Sequence, residues 1–232
     1  MEEHTKIIEL YGLPGCGKTT LKRNLIEKNP TCFCGMDDVT SRYKSSSFFT
    51  KCRCLPVSSI WALLKLFVVF PVLKITDWNI YKGFFSLLVV YNYCKVVKVS
   101  DYVIIDHGLV QSCVSLLYSV HLDNKQIYQY QQRFTSFLKS VGVDLFSYCS
   151  IPILISLNRV RTRNRMNSGR LDAIYDDDEL IKALSREGCF FDRFYTLLQS
   201  TSQLGLKIDM TKSVDKSSEL LLCSLNNYEN VK

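Results

Sequence analysis

The chain predicts an α/β fold of three layers, a five-stranded and mostly parallel sheet between two layers of helices. Two observations carry that prediction. Five short apolar runs alternate with helical patterns, an order that favours parallel strands covered on both faces. The first run, Ile7–Tyr11, feeds directly into Gly12-Leu-Pro-Gly-Cys-Gly-Lys-Thr19, which has the spacing G-x-x-x-x-G-K-[ST] of a phosphate-binding loop between a strand and a helix.

Each position of that loop has a physical task. Gly12, Gly15 and Gly17 lack a Cβ, so the chain can turn left-handed and bring N–H groups up to anionic oxygens. The helix from Thr19 to Lys28 points its positive dipole end at the same oxygens, and Leu21 and Leu25 mark its buried face. Lys18 reaches terminal phosphates, and the Thr19 hydroxyl is a ligand for Mg²⁺. Cys16 and Thr20 complete the candidate nucleotide-binding set.

Four more segments read as strands or strand ends. Cys32–Met36 runs into Asp37-Asp38, Tyr102–Ile105 into Asp106, Ile151–Leu157 into Asn158-Arg159, and Leu206–Ile208 into Asp209. Helical patterns lie between them: a long stretch from Pro56 to Val99, then Leu109–Val120, Gln126–Val141, Asp178–Ser200 and Ser213–Leu225. In open parallel sheets the ligand sits at the carboxyl ends of the strands. Gly12, Asp37, Asp106, Asn158-Arg159 and Asp209 are therefore expected to converge on one cleft.

The whole chain, 1–232, reads as one domain, with 51–99 as a helical insertion and 158–172 as a lid. Leu55–Leu73 is apolar on every face and approaches the length of a membrane span, but Lys65 and Pro71 interrupt it. Crossing a membrane there would split the sheet, so a buried core helix is favoured over contact with a membrane or a partner.

Asp106 ends an apolar strand, where a Mg²⁺-directing carboxylate is needed; the competing reading is a cap for the next helix. Asp37 or Asp38 across the cleft can accept the proton of an attacking hydroxyl, and Asp37 is nearer the strand. Both also suit a turn or a helix cap. His107 reads more as a hydrogen-bonding residue than as a base. Arg159, Arg161, Arg163, Arg165 and Arg170 fall within twelve positions. Arg159 pairs with Arg163 and Arg161 with Arg165 on helical faces. No aromatic residue interleaves them for base stacking, so a phosphate clamp is favoured over a nucleic-acid patch. Asn167-Ser-Gly169 supplies a flexible break for closure.

The net charge is +7, and hydrophobic residues make up 47% of the chain, which excludes a disordered protein. The ten cysteines include Cys32-x-Cys34 and Cys52-x-Cys54. The C-x-C spacing suits zinc poorly, and small core residues are the favoured reading over metal or redox pairs. The polar start, Met-Glu-Glu-His-Thr, does not fit a secretory or transit peptide, and a cytoplasmic location with reduced thiols is expected.

The residues also resemble a known group, the P-loop kinases of nucleosides and nucleotides, in particular the thymidylate kinase and deoxynucleoside kinase group. The matching pieces are GLPGCGKTT at Gly12–Thr20, YVIIDHG at Tyr102–Gly108, NRVRTRNRMNSGRLD at Asn158–Asp172 and IDMTKSVDKSSELL at Ile208–Leu221. The resemblance implies a P-loop NTPase core of five parallel strands, ATP with Mg²⁺ as donor, a small acceptor held by the helices after the second strand, and an adenine bordered by the loop after Asp209. Candidate catalytic residues are then Lys18, Asp37, Asp106, Arg159 and Arg163. Arg161 and Arg165 join the nucleotide-binding set, and Thr19 and Asp106 hold the metal. The chain differs from thymidylate kinases in three places. Leu13-Pro14 replaces an acidic residue in the loop, Met36-Asp37-Asp38 an Arg-Glu-Pro, and Asp106-His107 an Asp/Glu-Arg.

The expected activity is transfer of the ATP γ-phosphoryl to a nucleoside, nucleotide or other small molecule. Two alternatives stand beside it: a nucleotide-dependent switch acting on a membrane or protein partner, and a kinase of nucleic-acid ends. A GTP-specific switch is disfavoured because no N-K-x-D motif occurs. A homodimer is left open, whereas nucleic-acid and membrane partners are disfavoured.

Overall fold

The computed structural model describes residues 4–55, 57, 60–61, 78–119, 123–162, 171, 174–202 and 205–230. Its strands are β1 (Lys6–Tyr11), β2 (Phe33–Gly35), β3 (Tyr102–Ile105), β4 (Leu145–Ser150) and β5 (Gly205–Asp209). They form one sheet in the order β2-β3-β1-β4-β5. Every pairing is parallel, with Ile8 of β1 opposite both Ile104 of β3 and Leu145 of β4. The predicted sheet of five parallel strands is therefore present.

The central position of β1 explains its composition. A parallel strand covered on both faces is apolar throughout rather than alternating. Ile7, Ile8, Leu10 and Tyr11 are fully buried, and Glu9 is the one polar interruption. Because the strand order reverses about β1, the crevice at its carboxyl end opens between β3 and β4.

The described helices are α1 (Lys18–Lys28), α2 (Met36–Ser45), α3 (Phe48–Arg53), α4 (Trp78–Val96), α5 (Leu109–Ser119), α6 (Asn124–Val141), α7 (Ile153–Arg161), α8 (Asp177–Ser202) and α9 (Val214–Asn230). The helices α4, α5, α6 and α8 pack on one another, and α1 packs with α9. Phe84 and Phe194 meet Phe134 edge to face where α4, α6 and α8 converge, and Phe137 packs tilted against the same ring. Asp123 and Gln126 close a capping box on α6, and Gly142 ends that helix in the left-handed region at φ 73°.

Two expectations about elements require correction. The fourth strand is Leu145–Ser150, not Ile151–Leu157, which supplies most of α7. Pro152 is the residue before the first turn of α7, where its fixed φ suits a helix start. The apolar Ile153-Leu-Ile run looks strand-like only when read without that proline. Asn158 and Arg159 consequently sit in the second turn of a helix rather than at a strand end. Asp37 and Asp38 likewise lie in the first turn of α2, and the Asp38 carboxylate accepts the Gly35 N–H at 3.1 Å. The helical reading of Asp38 as a capping residue is the one realised.

Most of the apolar Leu55–Leu73 stretch lies outside the described residues. Among those described, no helix is long and apolar enough to cross a membrane. Cys34 and Cys54 are buried, whereas Cys52 is exposed.

Candidate nucleotide site

The loop after β1 has the geometry its glycines predict. Gly12, Gly15 and Gly17 have φ of 146°, 78° and 101°. At Gly12 the need for glycine is absolute in space as well as in φ, because a Cβ there would lie 2.4 Å from the Cys149 carbonyl oxygen. Gly17 is the residue before α1, so the first N–H groups of that helix open into the loop without intrahelical acceptors.

Lys18 is buried. Its ammonium folds over the loop and donates to the Gly12 and Leu13 carbonyls at 2.8 and 3.1 Å. It also lies 3.4 Å from the Cys16 sulfur. Burial opposes ionisation of the Cys16 thiol, but a hydrogen bond with Cys149 and the Lys18 charge outweigh it and bring the thiol below its ordinary range.

Asp106 follows β3 and faces α1. The Thr19 hydroxyl donates to its Oδ2 at 2.8 Å and Lys22 Nζ to its Oδ1 at 2.7 Å. Burial pushes the Asp106 carboxyl up, yet the hydrogen bonds from Lys22 and Thr19 prevail and hold it below the usual carboxylate value. Thr19 and Asp106 thus present hard oxygen donors side by side, the chemistry that Mg²⁺ takes when most of its remaining ligands are water and phosphate. These two residues fit a nucleotide-borne Mg²⁺.

The helix α7 clamps the loop from the β4 side. Buried Ser156 donates to the Pro14 carbonyl at 2.6 Å. Arg159 Nη1 donates to the Gly15 and Cys16 carbonyls at 3.2 and 3.4 Å. Arg159 is therefore placed at the loop. Arg161 turns elsewhere. It pairs with Asp177 and donates to the Ile174 and Tyr175 carbonyls, tying the end of α7 to the approach to α8. Arg163 and Arg165, and with them most of the predicted lid, lie outside the described residues. Asp37 is exposed at the same carboxyl edge, but β3 separates its strand from β1. On the opposite flank Met210, just after β5, comes within reach of Gly17.

Sequence reading missed four residues of this site. Lys22 was legible, since it stands one helical turn beyond Lys18. Ser156 was hidden by the misplaced fourth strand. Gln111, whose Oε1 accepts the Gly12 N–H at 3.4 Å, carried no local signal. Glu9 did carry one, as a carboxylate inside the apolar Ile7–Tyr11 run; it is fully buried and accepts from the Tyr91 hydroxyl at 2.9 Å and the Val110 N–H at 2.6 Å.

The architecture has counterparts among solved structures. Deoxyadenosine kinase from M. mycoides with bound dATP is 15% identical, with 95% of this chain and 99% of that chain covered at a TM-score of 0.50. The same enzyme with dCMP and dCDP gives 0.53 at 15% identity over the same shares. The fold is that of the P-loop kinases. Shikimate kinase from Bacteroides thetaiotaomicron shares it at 17% identity and a TM-score of 0.50, covering 95% of this chain and 98% of that one. Neither a protein-family model nor a curated protein matches the chain. Within the P-loop kinase fold, the Gly12–Thr19 loop, Asp106 and Arg159 occupy the carboxyl edge around β1, the region where such folds bind ligands.

Proposed function

We propose that the protein is an ATP-dependent phosphotransferase that moves the γ-phosphoryl of MgATP to a small acceptor, with a nucleoside or nucleotide as the first candidate. The observation that carries this reading is the Thr19–Asp106 contact of 2.8 Å beside a glycine loop whose lysine is already inside it. That combination suits a metal-bound polyphosphate.

The loop N–H groups and the start of α1 bind the phosphates of the donor. Lys18 leaves the loop carbonyls and donates to the terminal phosphates. Thr19 and Asp106 hold Mg²⁺, which when bound neutralises charge on the phosphates. Arg159 firms the loop through Gly15 and Cys16 and adds positive charge beside it. Asp37 accepts the proton of the acceptor hydroxyl as its oxygen bonds to the γ-phosphorus. The bond from that phosphorus to the bridging oxygen breaks, and ADP leaves with the electron pair. Arg163 and Arg165 belong to a lid over 158–172 that excludes water, with Arg161 anchoring its start to Asp177, and 51–99 forms the acceptor side of a single catalytic unit. The reading places the enzyme in the cytoplasm.

An acceptor panel tests the proposal, with ADP release as readout across nucleosides, nucleoside monophosphates, sugars and aminoglycosides. One acceptor should raise turnover sharply above basal hydrolysis. Asp37→Asn should then abolish transfer and leave ATP affinity within about twofold, since it removes a base and no phosphate contact. Hydrolysis indifferent to every acceptor but responsive to vesicles or a protein partner would instead establish the switch alternative.

A further inference from the structure

The nucleotide reading leaves the role of Lys22 unassigned. Lys22 stands at i+4 from Lys18, so both ammonium groups project from one face of α1. They serve different partners. Lys18 lies in the loop, whereas Lys22 Nζ is 2.7 Å from Asp106 Oδ1. Thr19 holds the other oxygen of the same carboxylate at 2.8 Å. The Lys22 and Asp106 side chains are only 16% and 10% exposed, so solvent screens the pair weakly. The carboxylate that would direct a divalent ion already has a cation on it. A second cation arriving alone meets both repulsion from Lys22 and a carboxylate whose charge is neutralised.

A metal ion that arrives on a polyphosphate meets a different balance. The phosphates bring negative charge that Lys18 and the loop dipoles accept, and the long stem of Lys22 can swing its ammonium away from Asp106 toward them. We propose that Lys22 is a built-in counter-cation of Asp106 that excludes free divalent ions and admits the metal only as its nucleotide complex. Lys22 is then a specificity-determining residue for the donor. The inference rests on the phosphotransferase reading of the same site.

The test is a titration of the full chain with Mn²⁺ alone, followed by water-proton relaxation, for the wild type, Lys22→Met, Lys22→Gln and Lys22→Arg. Free Mn²⁺ should bind Lys22→Met and Lys22→Gln about tenfold or more tighter than the wild type, the size of effect that one adjacent charge has on the proton affinity of a carboxylate. Lys22→Arg, which keeps the cation, should stay near the wild type. Adding Asp106→Asn to Lys22→Met should erase the gain. A parallel titration with MnATP should show a much smaller difference among the four proteins. Unchanged or weaker Mn²⁺ binding by both neutral variants, with MnATP binding retained, overturns the inference alone. A wild type that binds no metal–nucleoside triphosphate overturns the phosphotransferase reading itself.

Discussion

Glu9 is a carboxylate in the middle of a central parallel strand, where elementary packing calls for an apolar side chain. It is tolerated because donors surround it. Tyr91 of α4 and the first N–H groups of α5 converge on its two oxygens, and Gly108 makes room. A Cβ on Gly108 would lie 2.2 Å from the Glu9 carboxyl carbon. Burial nevertheless wins, pushing the Glu9 carboxyl from 4.5 up to about 7 against the hydrogen bonds that pull it down. The folded chain therefore binds this proton more tightly than the unfolded chain does. The contribution of Glu9 to stability should fall as pH rises from about 4.5 to 7 and level off above. Asp106 is shifted the other way, so its contribution is lost only as pH falls below the ordinary carboxylate range. The Cys16 thiol is shifted down, so its contribution grows with pH and opposes that of Glu9 in the same range. Comparison with Glu9→Gln isolates the Glu9 part: in urea unfolding, the stability of the wild type minus that of Glu9→Gln should fall by roughly 2–3 kcal/mol from pH 5 to pH 8, at about 1.36 kcal/mol per pK unit. A difference that does not change with pH would refute the assignment.

The loop between β1 and α1 is held from three directions. Gln111 of α5 accepts the Gly12 N–H, Ser156 and Arg159 of α7 hold the carbonyls of Pro14, Gly15 and Cys16, and the Cys149 carbonyl of β4 lies against Gly12. Gly12→Ala combines a φ of 146° with a contact onto unyielding backbone. It should cost on the order of 1–3 kcal/mol of stability and displace the loop. Chemical denaturation reads the first, and fluorescent ATP-analogue binding the second. Unaltered nucleotide binding by this variant would mean that the loop conformation is not required for the ligand. The loop and the second helix flank were not equally readable. Glycines announce left-handed turns within a few residues, so the β1–α1 junction was evident. The apolar Ile151–Leu157 run has no such local mark apart from Pro152, and whether it pairs as a strand depends on β1 and β5, which are distant in sequence. Leu145–Ser150 wins that place, and Ile153–Arg161 is freed to cap the loop as α7.

A five-stranded parallel sheet with the loop at its central strand gathers β1, the end of β3, α1 and α7 around that loop, so phosphates bound as proposed would touch all four. Ligand binding should consequently stabilise the molecule as a unit. At one hundred times its dissociation constant MgATP adds about 2.7 kcal/mol. For a chain of this size that corresponds to a rise in melting temperature on the order of 5–10 °C. Lys18→Ala should remove most of the rise while leaving the ligand-free melting temperature within a few degrees. Differential scanning fluorimetry checks both, and an equal rise in the variant would separate Lys18 from the phosphates.

The phosphate loop, the alternation of strands and helices, and the acid after β3 were all determined by the order of residues alone, because each depends on neighbours within a turn or a strand. Tertiary structure decided the rest: which apolar run pairs beside β1, that Arg159 meets the loop while Arg161 is drawn to Asp177, and that Lys22 covers Asp106. Those outcomes depend on contacts between segments 16 to 144 positions apart. No local periodicity carries that information, since it arises only when the sheet brings the carboxyl ends of its strands to one edge.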